Sequence, residues 1–359
     1  MQLVQRDGQN EAYSVSRTVI DPSEENVLFA FAEVDRVQFF PLYRNGFPGA
    51  GNRKWFNTGG LPSYEKWVES LEEFAPTVLV TCWSTPPLPE TLLLSESFPL
   101  RYICHAAGTV RHKVSREFIA KGGLVTNWGS TISHNVAEHA LLLILASLRN
   151  FTQWRQALEE SDACWSNAQA LKTCSMREKK VGIHGFGNVA RELIRLLAPF
   201  DAECLAYSQN VAPSYIRQHG ATPCADLNEL FKRCEIVVEC EGLTEDSTGS
   251  VREEHLRLLP EGGVFVNVAR GSLVDEKALE QVAAEGRIRI GLDVFEIEPL
   301  PRNSPLRNLE NVIISPHIAG PTSDWFHRCG THALNNLERY LKGESLTGIV
   351  TIEVYDRST

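Results

Sequence analysis

The chain has 359 residues, of which 43% are apolar and 22% charged, and its net charge is −10. That balance predicts a soluble globular protein of two domains or three, and the acidic excess argues against nucleic acid or an anionic membrane as a partner. Residues 1–7 lack a basic-then-apolar secretion signal, the densest apolar run covers only residues 140–146, and the nine cysteines are scattered with no C-x-x-C spacing. These features predict a cytoplasmic chain with reduced thiols, no bound metal and no transmembrane segment.

Residues 1–26 are polar and irregular, and the first strand is predicted at 27–31. The segment 41–61 is rich in Gly, Asn and Pro and reads as loop. Ser63 is placed to cap a helix over 64–74. Strands follow at 77–82, 100–104 and 124–127, with a helix over 115–121 before the last. Short apolar strands alternating with helices imply a parallel sheet, whose ligands sit beyond the carboxyl ends of the strands. The loops 83–87 and 105–109 are therefore candidate substrate contacts. Residues 136–148 are apolar almost all round and predict a buried helix crossing between domains, followed by a connector over 151–177.

At Lys180-Val181-Gly182-Ile183-His184 a strand runs into Gly185-Phe186-Gly187-Asn188-Val189-Ala190, which fits G-x-G-x-x-A, and a helix follows to about Leu197. Gly185 permits the sharp turn, Gly187 lets the backbone approach a pyrophosphate, and Ala190 lets helix and strand pack closely. The N–H groups of the first helical turn, at Asn188 and Val189, then face the phosphates. Further strands are predicted at 204–207, 236–238, 263–269, 288–294 and 311–315, with helices over 226–234, 252–259 and 275–284. This is the pattern of a doubly wound α/β sheet. Arg270, Glu298 and His317 each lie just beyond one of these strands, so their side chains converge on one sheet edge. An Arg holds a carboxylate through two N–H bonds, a His exchanges a proton near neutral pH, and a Glu fixes the tautomer of that His. Together they suit hydride transfer between a nicotinamide and a carbon that bears oxygen beside a carboxylate.

Four stretches carry a resemblance. They are Val181-Gly182-Ile183-His184-Gly185-Phe186-Gly187, the run Asn267-Val268-Ala269-Arg270-Gly271-Ser272-Leu273-Val274-Asp275-Glu276, the run Gly291-Leu292-Asp293-Val294-Phe295-Glu296-Ile297-Glu298-Pro299, and Ser315-Pro316-His317-Ile318-Ala319-Gly320. In this order they resemble the D-isomer-specific 2-hydroxyacid dehydrogenases, over roughly residues 75–350. The resemblance implies a Rossmann dinucleotide-binding domain over 131–319 and a flavodoxin-like substrate domain from 1–130 plus 320–359. It implies that Arg270 binds the substrate carboxylate and the reacting oxygen, and that His317 is the acid in 2-oxoacid reduction and the base in the reverse. It pairs Glu298 with His317, gives Asp293 to the nicotinamide carboxamide and makes Ala269 a cofactor contact. It puts Ala107, Gly108 and Thr109 on the substrate carboxylate, folds the tail after Gly320, with Trp325, onto the first domain, and implies a homodimer. Formate dehydrogenases share the fold but carry Gln where Glu298 stands, which sets that branch aside.

The chain departs from the family in three places. Ser208 stands where an acidic residue usually binds the ribose 2′-hydroxyl, and Glu203 is at the wrong end of that strand. A 2′-phosphate is then not repelled, yet no Arg follows to bind one, Arg217 being distant. The missing cation favours NAD and leaves NADP open. Ala107-Gly108-Thr109-Val110-Arg111-His112 replaces a loop with two glycines and an Asp-Asn pair, and Arg111 is either an anion reader or a surface residue. Glu241-Gly242-Leu243-Thr244 replaces the commoner hydrophobic-Pro-Leu-Thr. A second reading, by analogy alone, is a dinucleotide-sensing scaffold like the C-terminal-binding-protein co-repressors, which keep the same three polar residues. An exposed apolar groove or a long tail would favour it, and the sequence shows neither.

Overall fold

The structure is a computed structural model, and residues 21–49, 51–159 and 171–357 are described. The chain forms two compact units. Unit 1 runs to Ile132 and resumes at Thr322, and unit 2 is Ser133–Pro321.

Unit 1 holds five parallel strands: β1 (Asn26–Ala30), β2 (Asn52–Phe56), β3 (Val78–Thr81), β4 (Tyr102–His105) and β5 (Leu124–Thr126). Their order, β2-β1-β3-β4-β5, is the flavodoxin-like one. β3 and β4 are buried at every position, because helices cover both faces of the sheet. One face packs Phe29, Phe31 and Tyr102 with Leu337, and the other packs Leu28, Leu79 and Ile103 with Trp67. Ser63 caps the helix Tyr64–Phe74, its Oγ accepting from Lys66 N–H.

The stretch 41–61 was expected to be all loop, but besides a short 3-10 turn at Thr58–Gly60 it contains β2. It is an edge strand paired to β1 alone, half exposed along its length, so its sequence lacks the apolar run that marks its neighbours. The segment after Gly320 contains a long helix, Phe326–Leu341, which packs on β4 and on the helix Glu33–Phe39. Beyond it Asn127 N–H donates to Gly348 O and Val350 N–H to Val125 O. Trp325 Nε1 donates to Thr131 O, and Arg328 lies over its ring.

Unit 2 holds seven parallel strands: β6 (Lys180–His184), β7 (Glu203–Tyr207), β8 (Thr222–Pro223), β9 (Ile236–Glu239), β10 (Val264–Asn267), β11 (Arg289–Leu292) and β12 (Val312–Ile314). The order β12-β11-β10-β9-β6-β7-β8 is the doubly wound 3-2-1-4-5-6 arrangement with one more edge strand. The chain leaves β6 in one direction and returns to the other side at β9, which makes the β6/β9 boundary the switch point. The buried helix Ser133–Leu148 opens unit 2 and packs on β10, β11 and the helix Asn188–Leu197. It was expected to cross between domains; it belongs to unit 2, where its buried side chains join one core while Leu142 stays exposed. The connector expected over 151–177 holds the helix Trp154–Glu159, and its residues 160–170 lie outside the described part. Two strands end two residues earlier than their apolar runs, at Asn267 and Leu292, and the residues released build the site described next. Among the described residues no helix is long and apolar enough to cross a membrane, and the eight cysteines carry no disulfide.

Candidate functional site

The glycine turn stands at the switch point. Gly185 leaves β6 at φ +87°, and a Cβ there would lie 2.4 Å from Glu241 Cα, so the turn passes the chain leaving β9 with no room for a side chain. Gly187 precedes the helix Asn188–Leu197, and an added Cβ would meet nothing within 4 Å. The first-turn N–H groups of Asn188 and Val189 that follow have no acceptor within the helix. Ala190 and Phe186 are both buried in the core of unit 2, so Phe186 offers a ligand chiefly its backbone. These residues fit the diphosphate of a dinucleotide.

Three adjacent strands deliver the polar residues predicted from sequence. Arg270 follows β10, Glu298 follows β11 and His317 follows β12. Glu298 Oε2 accepts from His317 Nδ1 at 2.6 Å, and Glu298 Oε1 accepts from Phe295 N–H at 3.0 Å. The side chains of His317 and Glu298 are 46% and 34% exposed, so His317 Nε2 is accessible to a substrate while Nδ1 is held. Exposed Ile297 and Ile318 flank the pair. Arg270 is half-buried, with Nη1 donating to Ala269 O at 2.6 Å. Burial pulls its pKa below the ordinary guanidinium value, while the charge of Glu298 pushes the other way. An anion bound beside it would favour the charged form further.

Of the residues that hold this trio, Asn267 and Gly271 were not singled out from sequence, and Asp293 was singled out only as a cofactor contact. Gly271 brings two loops together: a Cβ would fall 1.8 Å from Phe295 C and 2.2 Å from Glu296 N. Asn267 Oδ1 accepts from Ala269 N–H and its Nδ2 donates to Arg270 O, which closes the turn carrying Arg270. Asp293 is 1% exposed. Its Oδ1 accepts from Ser315 Oγ at 2.6 Å and Ile318 N–H at 2.9 Å, its Oδ2 from Ala319 N–H at 2.9 Å, and its carbonyl from His317 N–H at 2.8 Å. His139 Nε2 lies 2.8 Å from Ser315 Oγ, and burial lowers its pKa against the charge of Asp293. Asp293 therefore holds the His317 loop, and only Oδ2 keeps a second accepting position.

Ser208 follows β7 and donates to Glu241 Oε2 at 2.8 Å. Beneath them His184 Nδ1 donates to Glu239 Oε2 at 2.6 Å, in a pair 4% and 0% exposed. Burial alone would lower the His184 pKa, but the charge and hydrogen bond of Glu239 and the charge of Glu241 carry it above the ordinary value. In unit 1, Ala107 is buried with its carbonyl accepting from Trp128 N–H, and Gly108 O accepts from Asn127 Nδ2 at 2.8 Å. Thr109 Oγ1 accepts from Arg111 N–H, and the Arg111 guanidinium lies over the Tyr355 ring. His105 is 1% exposed beside Thr81 Oγ1, and burial together with the Lys113 charge lowers its pKa to about 3, so it is a neutral core residue. Among the described residues no group of three or more His, Cys, Asp or Glu could hold a metal.

Two outcomes follow from this geometry. Gly271→Ala forces the Arg270 loop off the Glu298 loop and should cost about 1–3 kcal/mol of stability by denaturant titration. Because its His184 pKa is raised on folding, the wild type should gain stability over His184→Gln below about pH 6.5, and lose that advantage as pH rises through the raised pKa. Thermal melts of the two proteins across pH check this, and a pH-independent difference would show that His184 does not titrate as described.

The model of the D-isomer specific 2-hydroxyacid dehydrogenase NAD binding domain matches residues 141–319. A D-3-phosphoglycerate dehydrogenase of Methanocaldococcus jannaschii is 31% identical over 233 residues, 65% of this chain and 44% of that protein. The chain thus spans less than half the length of that relative. A glyoxylate reductase of Thermofilum pendens is 32% identical over 248 residues, 66% of this chain and 71% of that protein. A solved 2-hydroxyacid dehydrogenase of Ketogulonicigenium vulgare Y25 superposes with a TM-score of 0.74 at 20% identity, covering 91% of this chain and 99% of that one, which speaks to the fold alone. The matched NAD-binding segment, the glycine turn at its switch point and the three strand-end residues agree: this chain belongs to the D-isomer-specific 2-hydroxyacid dehydrogenase family.

Proposed function

We propose that this protein is an NAD(P)-dependent oxidoreductase that interconverts a 2-oxoacid and its D-2-hydroxyacid. The observation that carries this reading is the His317–Glu298 pair, ordered through Nδ1 and open at Nε2, with Arg270 on the neighbouring strand end. A nicotinamide bound here would supply the hydride for the carbonyl carbon in reduction and would accept it in oxidation. His317 Nε2–H gives its proton to the carbonyl oxygen in reduction, and neutral Nε2 takes it from the hydroxyl in the reverse. Glu298 fixes the tautomer with the proton on Nδ1 and the orientation of the ring. Arg270 holds the substrate carboxylate, and Ala107, Gly108 and Thr109 are taken as further substrate contacts. Asp293 Oδ2, Ala269 and the turn Gly185–Val189 hold the cofactor.

The names of the relatives, D-3-phosphoglycerate dehydrogenase and glyoxylate reductase, support a short 2-oxoacid substrate and give the scaffold reading nothing. Substrate and cofactor are small molecules. Neither nucleic acid nor a membrane is a partner in this reading, which the acidic excess, −10, supports, and the scattered cysteines support a cytoplasmic location. A homodimer formed through unit 2 is supported by Leu142, Phe151, Trp154 and Leu158, large apolar side chains exposed along one stretch of chain.

Purified protein should oxidise NADH or NADPH, followed at 340 nm, with at least one of glyoxylate, hydroxypyruvate, pyruvate, phenylpyruvate or a branched 2-oxoacid. His317→Ala should lower kcat by at least about 10²-fold while leaving cofactor binding nearly intact. Unchanged turnover in that variant would remove His317 from the chemistry. Sedimentation should give a dimer for the wild type and a monomer for Trp154→Glu, and a monomeric wild type would sink the dimer.

A further inference from the structure

The residue at the end of the second strand of a Rossmann domain decides how the adenosine ribose is read, and an acid there accepts the ribose hydroxyls. Here that residue is Ser208, which has no charge. The fold nevertheless brings a carboxylate to the same place. β7 and β9 flank β6, so their carboxyl ends lie on either side of the glycine turn. Glu241, two residues beyond β9, reaches across to Ser208, whose Oγ donates to its Oε2 at 2.8 Å.

This carboxylate is built in on several sides. Gly242 N–H donates to Glu241 Oε1 at 3.0 Å. The backbone N–H of Glu241 donates to Glu239 Oε1 at 2.9 Å, and the other oxygen of Glu239 takes the His184 Nδ1 bond. The Gly185 turn rests against Glu241 Cα. Glu241 is half-buried, and each carboxylate oxygen has one described bond, which leaves one accepting position on each.

We propose that Glu241 is the specificity-determining residue for the cofactor: its carboxylate, held by Ser208, accepts the ribose hydroxyls of NAD and repels the 2′-phosphate of NADP. The proposal rests on the dinucleotide reading above. Two accepting positions on one carboxylate match the two hydroxyls of a ribose diol. A 2′-phosphate brings about −1.5 to −2 charges into hydrogen-bonding distance of a fixed negative charge. The cation of the same helical turn, Arg191, is engaged elsewhere, by Tyr215 Oη at 2.9 Å and by Asn188 Oδ1. Arg217 is exposed on the helix Pro213–Gln218.

The test is binding, read by titration calorimetry of the full chain with NADH and with NADPH. Wild type should bind NADH at least about tenfold more tightly than NADPH, and Glu241→Gln should lose about tenfold of that preference, chiefly by gaining NADPH affinity. Adding Ser208→Asp to Glu241→Gln, which moves the charge to the strand end itself, should restore the preference. If Glu241→Gln fails to fold, Glu241→Asp, one methylene shorter, withdraws the charge from Ser208 and is read in the same way. A wild type that prefers NADPH, or a Glu241→Gln ratio equal to that of the wild type, overturns the assignment while the dinucleotide reading stands. A wild type that binds neither cofactor overturns both.

Discussion

A buried carboxylate under the loop of His317 is the constraint on which the site depends. His317 sits at φ +53°, a left-handed conformation that a side chain with a β-carbon disfavours. Such a conformation persists where the surroundings over-determine it. Asp293 does so, by taking the N–H groups of the two following residues on its side chain and that of His317 on its own carbonyl. The carboxylate also takes the Ser315 hydroxyl, so the loop rests on a buried group whose two oxygens are both hydrogen-bonded. With the backbone settled, the imidazole meets Glu298 through Nδ1, and the remaining nitrogen faces outward. The contact of Gly271 with Phe295 and Glu296 then sets how closely the Arg270 loop approaches.

Much of this was legible in the sequence, for reasons that differ by element. The central strands of both sheets are buried on two faces and read as short Val- and Ile-rich runs. Ser63, Ser115, Asp226 and Asp275 marked helix starts, and each accepts from a first-turn N–H. The strand Asn52–Phe56 was not legible, since an edge strand needs neither an apolar run nor alternation. The helix Phe326–Leu341 buries Cys329, Ala333, Leu337, Tyr340 and Leu341 with Gly330 and Asn336 among them, so its apolar stripe is interrupted by a glycine and an amide.

At the site, position after a strand was enough to find Arg270, Glu298 and His317, because parallel strand ends share an edge whatever else the chain does. Their supports were hidden. Asn267, Gly271 and Asp293 act through contacts between loops separated along the chain, and a single sequence carries no record of which loops meet. The meeting of Ser208 and Glu241 is hidden in the same way: thirty-three positions separate them, and only the strand order sets them side by side.

The two units differ in how their chain is drawn. Unit 2 is one continuous segment, whereas unit 1 takes its sheet from the beginning of the chain and its covering helix Phe326–Leu341 from near the end. During synthesis the first five strands emerge early with one apolar face still bare, and that face waits for roughly the time needed to make two hundred more residues, of the order of ten seconds or more. Unit 2, though later in sequence, has all its parts at hand sooner. The domain that begins the chain is thus the last to close, and in the interval Phe29, Phe31 and Tyr102 form a surface that a chaperone or a second nascent chain would find before Leu337 does.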